Sequence, residues 1–131
     1  MSSIVPYSVP DKAYVVRHVF VASHAPSPLQ TIIMAHADVP YRMRCIDAWV
    51  FLAAGLVASL QVWTRPTQTG QKLCEFDCAG VDSYLHAQVK MHSTGFVDPG
   101  QDGDSLYLWR TDAALEGELY LLFQRERIIV P

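Results

Sequence analysis

An all-β fold, an antiparallel sandwich of about eight strands on a jelly-roll-like plan, is what this sequence predicts. Three observations carry that expectation. Apolar residues recur with period two rather than the 3.6 of a helix. All eight prolines fall between the alternating runs. Half of the 131 residues are hydrophobic and only 18% are charged, which supplies a core and argues against disorder.

Residues 1–12 read as an extended arm ahead of one sandwich domain at 13–131. Pro6 and Pro10 disfavour helix there, and Ile4, Val5, Tyr7 and Val9 make the arm apolar. It holds no apolar h-region, so no secretory signal is expected. Residues 13–22, AYVVRHVFVA, are rich in β-branched and aromatic types and form the first strand. Pro26 and Pro28 break the chain, and LQTIIMAHA (29–37) is the second. In 41–53, Arg42 and Arg44 face one way while Met43 and Cys45 face the other; beyond Ile46 both faces are apolar. A hairpin turn at Ala54-Gly55 leads into 57–64, and RPTQTGQK is a polar loop. LCEFDC (73–78) and YLHAQVKM (84–91) alternate cleanly, and HSTGFVDPGQDG (92–103) is the longest loop. SLYLWRT (105–111) and ELYLLFQRERII (118–129) close the fold, with DAAL (112–115) as the one plausible helical turn.

Ile46–Trp63 is apolar enough to resemble a membrane helix, flanked by Arg42, Arg44 and Arg65. Asp47 within it, and the strand character of its surroundings, favour a core segment and no membrane. The net charge of −3, with no basic block, argues against a nucleic-acid partner.

Candidate chemistry is sparse. Cys45, Cys74 and Cys78 are an odd number and read as free thiols. Cys74 and Cys78 share a strand face about 13 Å apart, too far for one metal ion or a disulfide. The five histidines form no ligand motif, and His18, His36 and His86 read as solvent-facing or interface residues. Asp98, Asp102 and Asp104 gather in a Gly-containing loop that lacks the EF-hand spacing. There is no nucleophile elbow and no phosphate-cradling loop. The expectation is a protein that is no enzyme and holds no metal or cofactor.

Two stretches point further. One is Tyr41-Arg-Met-Arg-Cys-Ile-Asp-Ala-Trp-Val50, leading into Ala58-Ser-Leu-Gln-Val-Trp63; the other is Gly103-Asp-Ser-Leu-Tyr-Leu-Trp-Arg110, leading into Gly117-Glu-Leu-Tyr-Leu-Leu-Phe123. Across residues 41–125 this resembles the small head-decoration (cement) proteins of tailed bacteriophages. The resemblance implies a jelly-roll-type virion protein, made in the host cytoplasm, that binds the major capsid protein outside an icosahedral shell and stabilises it.

The strand faces carry an expectation of their own. Ile46, Val50 and Leu52 oppose Trp49 and Phe51; Leu106 and Leu108 oppose Tyr107 and Trp109; Leu119, Leu121 and Phe123 oppose Tyr120 and Leu122. Strands that are apolar on both sides expose large side chains in a monomer, and such patches mark interfaces. Trp49, Phe51, Tyr107, Trp109, Tyr120 and Leu122, with Ile4 and Tyr7 of the arm, are therefore the expected contacts in a homo-oligomer, a trimer first and a dimer next. The alternative is a carbohydrate- or receptor-binding sandwich of a phage tail, with Trp63, Tyr107 and Trp109 as stacking platforms.

Overall fold

A computed structural model describes residues 13–54, 56–79, 88–91, 96–100 and 103–125. Among these lie nine strands: β1 (Ala13–Phe20), β2 (Leu29–Met34), β3 (Met43–Leu52), β4 (Ser59–Arg65), β5 (Thr69–Asp77), β6 (Gln88–Met91), β7 (Phe96–Val97), β8 (Leu106–Arg110) and β9 (Gly117–Arg125). They form two antiparallel sheets, β1-β9-β3-β7 and β2-β8-β4-β5-β6. Strands from the start of the chain pair with strands from its end, β1 with β9 and β2 with β8. That nesting is the jelly-roll order, with β6 added at one edge.

Alternation explains the core. Even-numbered positions of β1, among them Val16 and Phe20, point inward, as do Leu119, Leu121 and Phe123 of β9. The second sheet answers with Leu60, Val62, Cys74, Phe76, Leu106 and Leu108, all fully buried. A buried side chain of this size contributes about 1.5–3 kcal/mol, so the facing rows hold the sheets together.

Several expectations change on contact with the structure. Ile46 does not join Val50 and Leu52 in the core. A β-bulge between Cys45 and Asp47 shifts the register against β9. The strand enters with Met43 and Cys45 inward and leaves with Ala48, Val50 and Leu52 inward. Ile46, the extra residue, is 44% exposed, because a bulge leaves one residue out of the ladder. The expected hairpin at Ala54-Gly55 is absent: β3 and β4 belong to opposite sheets, so their connection crosses the sandwich.

The polar stretch RPTQTGQK is no simple loop. Arg65 pairs with Thr69, and β5 starts at Thr69, four residues earlier than Leu73. Thr67 and Gln68 adopt left-handed φ angles of 55° and 54° to make this turn without glycine at either position. The second strand ends at Met34, and His36–Asp38 forms a 3-10 turn instead. The long loop at 92–103 contains β7, which supplies the fourth strand beside β3. DAAL is a turn closed by Leu115 N–H donating to Asp112 O at 3.2 Å. The apolar run Ile46–Trp63 is parts of β3 and β4, and among the described residues no helix is long and apolar enough to cross a membrane. The arm at 1–12 lies outside the described residues.

Candidate functional site

The two outer sheet faces carry the side chains that the core does not use. On the β1-β9-β3-β7 sheet, register sets three rows across β1, β9 and β3. These are Val15–Leu122–Asp47, Arg17–Tyr120–Trp49 and Val19–Glu118–Phe51. Trp49 stacks on Tyr120 with ring centroids 5.5 Å apart and planes 8° from parallel, and Phe51 meets Tyr120 edge-on at 5.9 Å. Arg17 donates to the Tyr120 hydroxyl at 3.2 Å and forms an ion pair with Glu118. These two bonds and the neighbouring charges raise the Arg17 pKa above its ordinary value. Val15, Val19 and Ile46 surround this cluster and are exposed. The result is an apolar plate with one ion pair inside it.

The opposite face belongs to β2-β8-β4-β5-β6. Here Trp109 lies between Gln30 and Gln61, and Tyr107 between Ile32 and Trp63. Trp63 Nε1–H donates to Gln61 Oε1 at 2.9 Å, and Gln68 Nε2 donates to the same oxygen at 2.6 Å. Thr67 N–H donates to Gln30 Oε1 at 2.6 Å, which ties the strained turn to this face. Lys72 bridges Glu75 at 3.2 Å and lies 5.7 Å from the Trp63 ring centroid. This face is aromatic and amide-rich, and it differs in chemistry from the first.

Of the expected interface residues, Trp49, Phe51, Tyr120 and Leu122 are brought together on the first face. Tyr107 and Trp109 lie on the second, so one flat partner cannot cover all six. Ile4 and Tyr7 lie outside the described residues.

Other candidates resolve into structural roles. Asp104 is buried, accepts from Arg65 Nε at 2.9 Å and from Asp98 N–H at 2.8 Å, and so closes the acidic loop on itself. Asp98 in turn accepts from Gly100 N–H; Asp102 lies outside the described residues. Among the described residues no three His, Cys, Asp or Glu side chains group as metal ligands. His18 is not solvent-facing: it points inward from β1, half-buried, and burial followed by the charge of Arg110 lowers its pKa. His36 is exposed beside Gly103, where a Cβ would meet its ring. His86 and His92 lie outside the described residues.

Arg110 is the residue that strand reading passed over. Alternation sends it inward at the end of β8, where it is only 3% exposed. Its Nη1 donates to Val21 O at 2.7 Å, Leu115 O at 2.9 Å and Ala113 O at 3.4 Å. The guanidinium also lies 5.6 Å from the centre of the Phe20 ring. It binds the end of β1 to the β8–β9 turn, and burial lowers its pKa. The sequence signal was a charged residue at an inward position of a strand.

No family model, curated protein or solved structure matches this chain.

Proposed function

We propose that this chain is a structural virion protein that binds the outside of an icosahedral phage capsid, meets the major capsid protein and its own copies there, and stabilises the shell. The supporting observation is that both outer faces of one thin sandwich carry large side chains. A cement subunit must touch two bodies at once, a neighbouring subunit and the shell. Back-to-back faces allow that without a moving part. The plate around Trp49 and Tyr120 suits a protein partner, since covering each large apolar side chain contributes about 1.5–3 kcal/mol. A trimer is the favoured assembly and a dimer the next.

The experiment is electron cryo-microscopy of washed tailed-phage particles that carry this protein. Density for the sandwich on the outer capsid surface is the expected result. Finding the chain only at the tail, or lost from intact particles on washing, overturns the proposal.

A second reading has its own observation. The face with Trp63, Tyr107, Trp109, Gln30 and Gln61 offers flat rings beside amide groups, the combination that stacks on and hydrogen-bonds sugars. That supports a carbohydrate-binding module of a phage tail. A glycan array distinguishes the two readings: specific binding lost in Trp63→Ala and Trp109→Ala favours the second, and no binding removes it.

A further inference from the structure

Three arginines gather at one end of the β1-β9-β3-β7 sheet, where β3 begins and β9 ends. Arg125 is the register partner of Met43, and Arg42 and Arg44 flank Met43 in the chain. Their backbones therefore lie within about 9 Å of one another. All three residues are exposed. Two of them rest on rings: Arg42 Cζ lies 4.1 Å from the Phe96 ring centroid, and Arg125 Cζ lies 5.2 Å from that of Tyr41. The rings are held in turn, Phe96 by its pairing opposite Arg44 and Tyr41 by packing against the core. A cation–π contact positions a guanidinium without neutralising it or accepting its hydrogen bonds. Among the described residues no carboxylate pairs with Arg42 or Arg125. The described arginines outside this cluster differ: Arg17 has Glu118, Arg65 has Asp104, and Arg110 has three carbonyls.

We propose that Arg42, Arg44 and Arg125 form a docking surface for a carboxylate-rich segment of another protein. Guanidinium groups bind carboxylates through paired, parallel hydrogen bonds. Ring contacts that already hold two of the side chains reduce the ordering that such binding costs. The setting favours a short acidic segment over nucleic acid. A phosphate backbone needs a basic track, and this patch is bounded by acids: Asp47 lies in the next outward row, and Asp98 follows β7 directly. The setting also favours a different protein over a second copy. Of the acids at the far end of the same sheet, Glu118 is held by Arg17, and Glu116 accepts from Ala22 N–H at 3.3 Å. The proposal goes beyond the capsid reading, since it names the groups that make the contact whatever body the partner belongs to.

The test uses the full chain and an oligoglutamate peptide as probe, and it does not depend on the proposed function. Backbone amide NMR of the native protein is followed as the peptide is added. Binding is expected at about 0.01 M salt and should weaken at about 0.15 M, where the Debye length is shorter. The shifted amides should be confined to residues 41–44, 96–97 and 124–125. Changing Arg42→Gln and Arg125→Gln together should weaken binding about tenfold or more. Lys72→Gln, on the opposite sheet, should leave it unchanged. The native titration maps the contact even if the double variant does not fold. No shift at these residues, an equal loss in Lys72→Gln, or tighter binding of a single-stranded DNA of equal charge overturns the proposal. So does a lower oligomer mass in the folded double variant, which would place a second copy on the patch.

Discussion

Trp49 and Tyr120 lie directly opposite each other on β3 and β9, on the outer face, with their rings stacked almost parallel. The pair contributes little to the core, which is on the other side of both strands. Trp49→Ala should therefore cost only about 0.5–1.5 kcal/mol of stability, the worth of an aromatic pair. Attachment to a capsid or to a neighbouring subunit should fall at least tenfold in the proposed assembly (about 1.4 kcal/mol). Sedimentation with particles, compared with thermal melting of the same variant, separates the two effects. Equal attachment with a large drop in the midpoint counts against the plate as a contact surface.

Arg110 gives the opposite pattern. Arg110→Met keeps the apolar stem but deletes the donor to the carbonyls of Val21, Ala113 and Leu115. Ala113 O keeps its bond from Ser23 N–H, but a buried acceptor that loses its donor costs about 1–3 kcal/mol. A net loss of about 2–4 kcal/mol is expected, read from urea unfolding. A change within 0.5 kcal/mol (about the spread of neutral surface substitutions) would show that water replaces the guanidinium.

The β4–β5 turn predicts a gain. A β-branched residue with a left-handed φ, as at Thr67, is strained, and glycine accepts that conformation freely. Thr67→Gly should stabilise the fold by about 1 kcal/mol, seen as a higher thermal midpoint. Its backbone N–H still reaches Gln30. A lower midpoint would mean that the Thr67 side chain contributes more than its backbone strain costs.

The pH dependence follows from His18. Its folded pKa is lowered, by burial first and by Arg110 second, while the unfolded chain titrates near 6.5 (about the free value). Between those two values the unfolded state takes up a proton that the native state refuses. Stability from this group is therefore present above about pH 6.5 and falls as the pH drops toward the folded pKa. Unfolding midpoints at about pH 7.5 and 5.5 should differ in the native protein and converge in His18→Gln. An equal difference in both would assign the dependence to other groups.

Much of the architecture was legible because alternation is a local signal. The inward sets Leu106–Leu108 and Leu119–Leu121–Phe123 follow directly from it. What was hidden had other causes. The bulge at Ile46 inverts the phase of β3, and no residue type marks it. The turn at Thr67-Gln68 uses a conformation usually signalled by glycine or asparagine. β7 has two residues, too few for any period. The division of Trp49 and Tyr120 from Tyr107 and Trp109 depends on which sheet each strand joins, and that is decided by long-range pairing.

The central place of β9 in its sheet bears on how the chain reaches its native state. β9 is hydrogen-bonded to β1 on one side and β3 on the other, and its Tyr120 meets Arg17 across 103 positions of sequence. Until Gly117–Arg125 is available, β1 and β3 have no common neighbour, and the aromatic plate does not exist. β4 and β5 are joined by a short turn and can pair early. Loop-closure entropy makes the remaining sheet form late and slowly. An incompletely synthesised chain therefore exposes unpaired strand edges but lacks the assembled face, so only finished molecules present the aromatic plate.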